Sequence, residues 1–294
     1  MNEASGIAMT ALTGQVVIGL INGSFYALLS MGLSIIFGLL HVVNFAHGAQ
    51  YMLGAFVAWG LLEYAGIGYW PALLIAPVCV AVFGALIERF LLRRLYAVDH
   101  VYALLLTFGL AMLLEGGLRL KFGVSGEPYA NPMRGGVEFG AAFIPAYRLW
   151  VILASSALCL STWYFIERTK LGSYLRAAHE NPMLVRTFGI NVPRMLMLTY
   201  GASVGLAGLA GVMAAPIYQV SPIMGNNLLV VAFAVVVIGG MGSIKGSIVT
   251  GFALGVLEGL SKLFIPSATS IVIFVLMIVV LTIRPDGLFG QERK

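Results

Sequence analysis

The chain has 294 residues, of which 60% are hydrophobic and 10% charged, with a net charge of +5 and a mean hydropathy of +0.96. Soluble domains carry roughly 25% charged residues, so a water-soluble globular fold is excluded. No period-2 alternation recurs, which argues against an outer-membrane barrel. The positive excess reads as cytoplasmic loops and not as nucleic-acid binding. Apolar runs of about twenty residues recur from end to end, as bilayer-spanning helices require. The expected class is all-α: a polytopic integral membrane protein, one membrane domain over 1–294, with about 8–9 membrane segments that include broken or re-entrant helices.

The first residues contain no Lys or Arg, so no cleaved signal is expected and the N-terminus is expected outside. The first apolar run, 15–40, makes one long span or two short ones. Asn22, Gly23 and Ser24 lie near its middle, where polar atoms must be satisfied by neighbouring helices or line a cavity. Gly19 and Gly23 form a GxxxG pair, suited to close helix contact. The polar stretch 41–50 follows, with His41, Asn44, His47 and Gln50. Its histidine spacing fits no standard metal site; a broken segment bordering a cavity is expected, and the apolar run after it is short.

The run 71–92 ends in Glu88, Arg89, Arg93 and Arg94, a cluster that marks a cytoplasmic end. The run 101–120 returns outward with Glu115 and Arg119 at i,i+4, spaced for an ion pair on one helix face. The Gly- and Pro-rich connection 121–148 is expected outside, and 150–166 forms the next span. Then comes a charged island, Glu167–Arg194, carrying Arg168, Lys170, Arg176, Arg186 and Arg194 against Glu167 and Glu180. Its basic excess places it in the cytoplasm. Residues 171–176 and 183–187 read as two short helices separated by Asn181-Pro182, because proline disfavours helix in the residue before it. Gly189 permits a turn, and Pro193 marks the return to the membrane. Such a loop serves either as a docking surface for a soluble partner or as a plain topogenic loop.

The span 195–220 carries Gly201, Gly205, Gly208 and Gly211, a small-residue seam for tight packing. The aliphatic run 228–238 is expected to face lipid or a partner. Gly239–Ser247 interrupts it; Lys245 precedes Gly246, so the Walker A order fails and a tight turn or helix break is expected. Ser247, Gly251, Gly255 and Gly259 then recur every four residues along one helix face. The last span is 271–283, and Arg284, Arg293 and Lys294 put the C-terminus inside. A glycine-rich break followed by a small-residue helix occurs at 48–54 and again at 246–255, a weak internal repeat. Cys79 and Cys159 suggest neither a disulfide nor a metal site.

No nucleophile–base set, paired catalytic carboxylates or nucleotide-binding loop is present. An ion-coupled carrier generally buries ionisable groups near mid-bilayer; the candidates are Glu258, Glu115 and Glu63, and Glu258 has Lys262 at i+4 as a pairing partner. Uphill movement of a solute would then depend on an external motor.

The stretch NGSFYALLSMGLSIIFGLLHVVNFAH at 22–47, continuing to Gly54, resembles the LivH-type permease of the branched-chain amino acid ABC importers. The loop 172–192, the run IGGMGSIKGSIVTGF and the closing IRPDGLFG are similar to that family as well. The resemblance implies a bacterial inner-membrane protein that is no enzyme and binds neither cofactor nor metal. It implies as partners a LivM-like second permease, two LivG/LivF-like ATPase subunits that carry the ATP and Mg, and a periplasmic amino-acid-binding protein. By match to the coupling-loop motif, Ala177, Ala178 and Gly189 would be close-contact positions, Arg176 and Glu180 rim charges, and Asn181 part of the motif. A polar path past Asn22, Ser24, Tyr26, Asn44 and His47 is expected for the solute: branched-chain amino acids, or urea, short amides or other amino acids. A gradient-driven carrier or channel working alone is the remaining alternative.

Overall fold

A computed structural model describes residues 2–40, 42–96, 98–139 and 142–290. Among them run eleven α-helices: α1 (Asn2–Leu40), α2 (His47–Ala65), α3 (Tyr69–Phe90), α4 (His100–Phe122), α5 (Ala146–Arg168), α6 (Lys170–Glu180), α7 (Pro182–Thr187), α8 (Val192–Ala214), α9 (Met224–Gly239), α10 (Ile244–Phe264) and α11 (Thr269–Ile283). A small hairpin, β1 (Gly136–Phe139) with β2 (Ala142–Pro145), lies in the connection before α5. Tyr147 and Arg148 therefore already belong to a helix.

Among the described residues six helices are long and apolar enough to cross a membrane, α1, α3, α4, α5, α8 and α10, with α9 and α11 as shorter apolar helices. The 15–40 run is one helix. All backbone groups of such segments must be satisfied inside the segment, which in lipid leaves the helix as the natural solution.

Close backbone approach organises the packing. Helix α10 lies antiparallel on α1: a Cβ built on Gly255 would stand 2.3 Å from the Gly23 Cα, one on Gly259 3.0 Å from the Gly19 Cα, and one on Gly251 2.7 Å from the Ala27 Cα. At the far end of the same pair, Gly38 abuts Gly242. Without a hydrophobic drive between helices in lipid, such small-residue contact is what holds them. Helix α8 packs on α3 in the same manner, through Gly201 against Ala81 and Ala85 and Gly205 against Pro77 and Ala81. On its other side α8 meets α2, where Gly211 approaches the Tyr51 carbonyl and Gly208 faces Gly54.

Alternating helix directions give the bundle two ends. Arg89 in the last turn of α3, Arg93 and Arg94 just after it, the charged island between α5 and α8, and Arg284 after α11 share one end, here the basic end. The connection before α5, with its hairpin, and the 215–223 connection share the other, joined by paired backbone bonds between Glu127 and Val220.

Two expectations change. The 228–238 run faces lipid or a partner only in part: Ala232, Ala234, Val235, Val236 and Ile238 are buried, because α9 packs against α1, α2, α10 and α11, whereas Val230 is exposed. The polar break at 42–46 borders no open space at its core. Asn44, His47 and Gln50 are fully buried; Asn44 Nδ2 donates to Gln50 Oε1 at 2.9 Å, and Asn44 Oδ1 accepts from the Ala46 N–H at 3.0 Å. The amides thus satisfy each other and part of the broken backbone, while the buried His47 Nδ1 has no partner among the described residues. His41 lies outside the described residues, as do Arg293 and Lys294.

The glycine run 239–246 and the closing IRPDGLFG meet. Gly240 and Gly242 adopt φ of 100° and 87°, a turn that side chains disfavour. The N–H groups of Leu288 and Phe289 donate to the Ile238 and Gly239 carbonyls at 2.8 and 3.1 Å. The tail thus satisfies carbonyls that the end of α9 leaves unpaired.

Candidate functional site

Two constellations stand out, one at each end. At the basic end, α5 stops at Arg168 and α6 turns back on it. Gly172 makes that turn possible: a Cβ there would lie 1.6 Å from the Ile166 carbonyl oxygen. The Arg176 guanidinium donates to the same carbonyl at 2.8 Å and stands 3.7 Å from the Glu167 carboxylate. Arg176 therefore braces α6 against α5 while its side chain stays half exposed. Asn181 ends α6 and caps α7, its Oδ1 accepting from the Leu184 N–H at 3.0 Å, with Pro182 at the first helical position. Gly189 turns the chain at φ 78°. Asn191 then caps α8 through the Arg194 N–H.

The two short helices have an inner and an outer face. Leu175, Ala178, Val185, Val192 and Met195 form a small core of their own. Ala178 thus faces inward, and its size serves packing within the chain and not contact with another. Outward point Ala177, Glu180 and Gly189, together with Tyr174, Leu184, Met183 at 71% and Phe188 at 75% exposure. That outer apolar face, rimmed by Lys170, Arg186 and Glu180, escaped the sequence reading. Its signal was there: Met183 and Leu184 in α7 and Phe188 just after it are more apolar than a solvated loop requires.

At the opposite end, α1, α10 and the 215–223 connection converge on Glu258. Tyr26 donates its hydroxyl to Glu258 Oε2, Asn22 Nδ2 donates to Oε1 at 3.4 Å, and Lys262 Nζ lies 2.6 Å from Oε1. Tyr218 donates to Asn22 Oδ1 at 2.8 Å and packs edge-on against Phe25. Two of the five expected pathway residues, Asn22 and Tyr26, are thereby brought together. Ser24 is buried and donates only to the Leu20 carbonyl of its own helix. Asn44 and His47 belong to the separate buried break, where His47 Nε2 lies 3.1 Å from the Leu29 carbonyl. The Glu115–Arg119 pair forms at 3.0 Å, and Asn226 also donates to Glu115. No group of three metal-ligating side chains occurs among the described residues.

A body of apolar spans with glycine seams and a broken helix defines an integral membrane protein of the polytopic α-helical class. Residues 15–281 match the family described as "Branched-chain amino acid transport system / permease component". The chain belongs to that family. It is 30% identical to the high-affinity branched-chain amino acid transport system permease protein BraD of Pseudomonas aeruginosa, over 94% of this chain and 95% of that one. It is 29% identical to the LivH permease protein of Escherichia coli K12, covering 93% and 94%. The LivM permease protein of the same organism is 28% identical over 91% of this chain and 68% of its own length. No solved structure matches.

Proposed function

We propose that the chain is the membrane permease subunit of an ATP-driven ABC importer, moving branched-chain amino acids from periplasm to cytoplasm across a bacterial inner membrane. The observation that carries the ATP-driven part is the outer face of α6 and α7. It is apolar, exposed and built from small helices braced against α5 and α8. Exposed apolar patches rimmed by polar residues mark protein contacts, and this one lies at the basic end, which the positive-inside rule assigns to the cytoplasm.

An ATPase subunit is the partner of that face. Two such subunits hold the ATP and Mg, since this chain carries no phosphate-binding loop, and Ala177, Glu180 and Gly189 lie at the contact. Closure of the ATPase pair pushes α6, and Arg176 passes the movement to the end of α5. A LivM-like permease completes the membrane part, and a periplasmic amino-acid-binding protein delivers solute to the end holding Glu258. The N-terminus is then periplasmic and the C-terminus cytoplasmic.

The test is co-purification with the ATPase, second permease and binding protein, followed by leucine uptake into proteoliposomes with and without ATP. Uptake that needs ATP and all partners supports the proposal. Transport by the isolated chain without ATP refutes it.

A further inference from the structure

We propose that Glu258 and Lys262 form a zwitterion gate: the α-ammonium of the passing amino acid takes the place of the Lys262 ammonium on Glu258, while its carboxylate is met by the displaced Lys262. The inference rests on the importer reading above and names the residues that meet the solute's two charges.

The two members of the pair are held unequally. Glu258 is only 12% exposed in its side chain and accepts from Tyr26 and Asn22 in addition to Lys262. Two donors outside the ion pair keep the carboxylate in place when its cation leaves. Lys262 has no hydrogen bond to any other side chain among the described residues, and its side chain is 37% exposed. Its long stem swings at little cost. One fixed anion beside one swinging cation is what insertion of a zwitterion requires.

Depth strengthens the case. Glu258 lies six residues before the end of α10, about 9 Å along the helix. Ionisable residues within membrane segments normally face a bundle interior or an aqueous cavity, and the proposal assigns the partly open side of this cluster to the solute path. A zwitterion leaving water needs a partner for each charge, whereas an uncharged amide would need neither member of the pair. The exposed ring of Tyr218, stacked edge-on with Phe25, supplies an apolar rim for a branched side chain. The pair is net neutral, as is the solute, so no charge accumulates when one replaces the other.

The bland alternative is a strut that only locks α10 to α1, and one experiment separates the two. Glu258→Gln keeps the volume and one acceptor oxygen, for Tyr26 or Asn22, but loses the charge; Lys262→Met keeps the stem and loses the ammonium. The full transporter is reconstituted with each variant, and assembly and radiolabelled leucine uptake are measured. The expected result is an assembled complex with uptake reduced by about tenfold or more, as loss of one charged hydrogen bond implies. Uptake within about twofold of the parent in an assembled complex overturns the inference. If Glu258→Gln fails to assemble, Lys262→Met decides alone, and failure of both to assemble assigns the pair to the strut. An unaltered complex that transports without ATP would instead defeat the importer reading, whatever the variants do.

Discussion

Gly172→Ala tests the mechanical link between the basic end and the membrane. The added Cβ would stand 1.6 Å from the Ile166 carbonyl oxygen, against an ordinary contact of at least 3.4 Å. The obstacle is backbone, so α6 must withdraw by roughly 1.5 Å or more. The Arg176–Ile166 bond at 2.8 Å is stretched beyond hydrogen-bonding reach by such a shift. Overpacking of this kind costs about 1–3 kcal/mol, and the charged hydrogen bond adds about 1.5 kcal/mol at most because Arg176 is half exposed. That cost falls on a short two-helix unit and leaves the α1–α10 and α3–α8 seams untouched. The expected outcome is a complex that still assembles but hydrolyses ATP with little leucine uptake. The ratio of leucine taken up to ATP hydrolysed should fall about fivefold or more. Gly109→Ala is the control, because nothing lies within 4 Å of a Cβ there. An unchanged ratio in Gly172→Ala, with the control also unchanged, would refute the idea that the α5–α6 junction transmits force.

Other expectations follow from the same geometry. Gly255→Leu drives side-chain atoms into the Gly23 and Gly19 backbone and should lower the thermal midpoint of the purified complex by an amount matching about 3 kcal/mol or more; a stable variant would show that the glycine seam is not limiting. Ala177→Trp, on the outer face of α6, should abolish co-purification of the ATPase or uncouple it, whereas Ala178→Trp, on the inner face, should disorder α6 and α7 in hydrogen exchange; indistinguishable behaviour would remove the two-faced reading. Asn181→Ala removes the α7 cap and should destabilise that helix by about 1 kcal/mol, seen as faster amide exchange over 182–188. Arg119→Met breaks an ion pair whose arginine is half exposed and should change stability by less than about 0.5 kcal/mol.

Much of the architecture was legible because lipid simplifies the problem. Apolar runs of spanning length have to be helices, and glycines at four-residue spacing have to share a face, so the Ser247–Gly259 ladder and the α8 seam could be read without coordinates. The break at Asn181-Pro182 and the turn at Gly189 were legible for an equally local reason: the residues themselves dictate the backbone. The Glu258–Lys262 and Glu115–Arg119 pairs followed from i,i+4 spacing alone.

What a side chain faces across the bundle is decided by other segments, and there local pattern is silent. Ala177 and Ala178 are neighbours of the same type, yet one lies on the outer surface and the other in a core completed by Val185, Val192 and Met195. Arg176 resembles every other basic residue of its loop until α6 folds back and offers it the Ile166 carbonyl. Asn22 and Tyr26 share one helix face at four-residue spacing, but only the antiparallel seating of α10, more than two hundred residues away, sets a carboxylate between them. Periodicity and composition act along the chain and so were enough for the helices and their small-residue seams; the polar atoms had to wait for tertiary structure, because a hydrogen bond in a membrane interior is defined by whichever distant segment arrives to satisfy it.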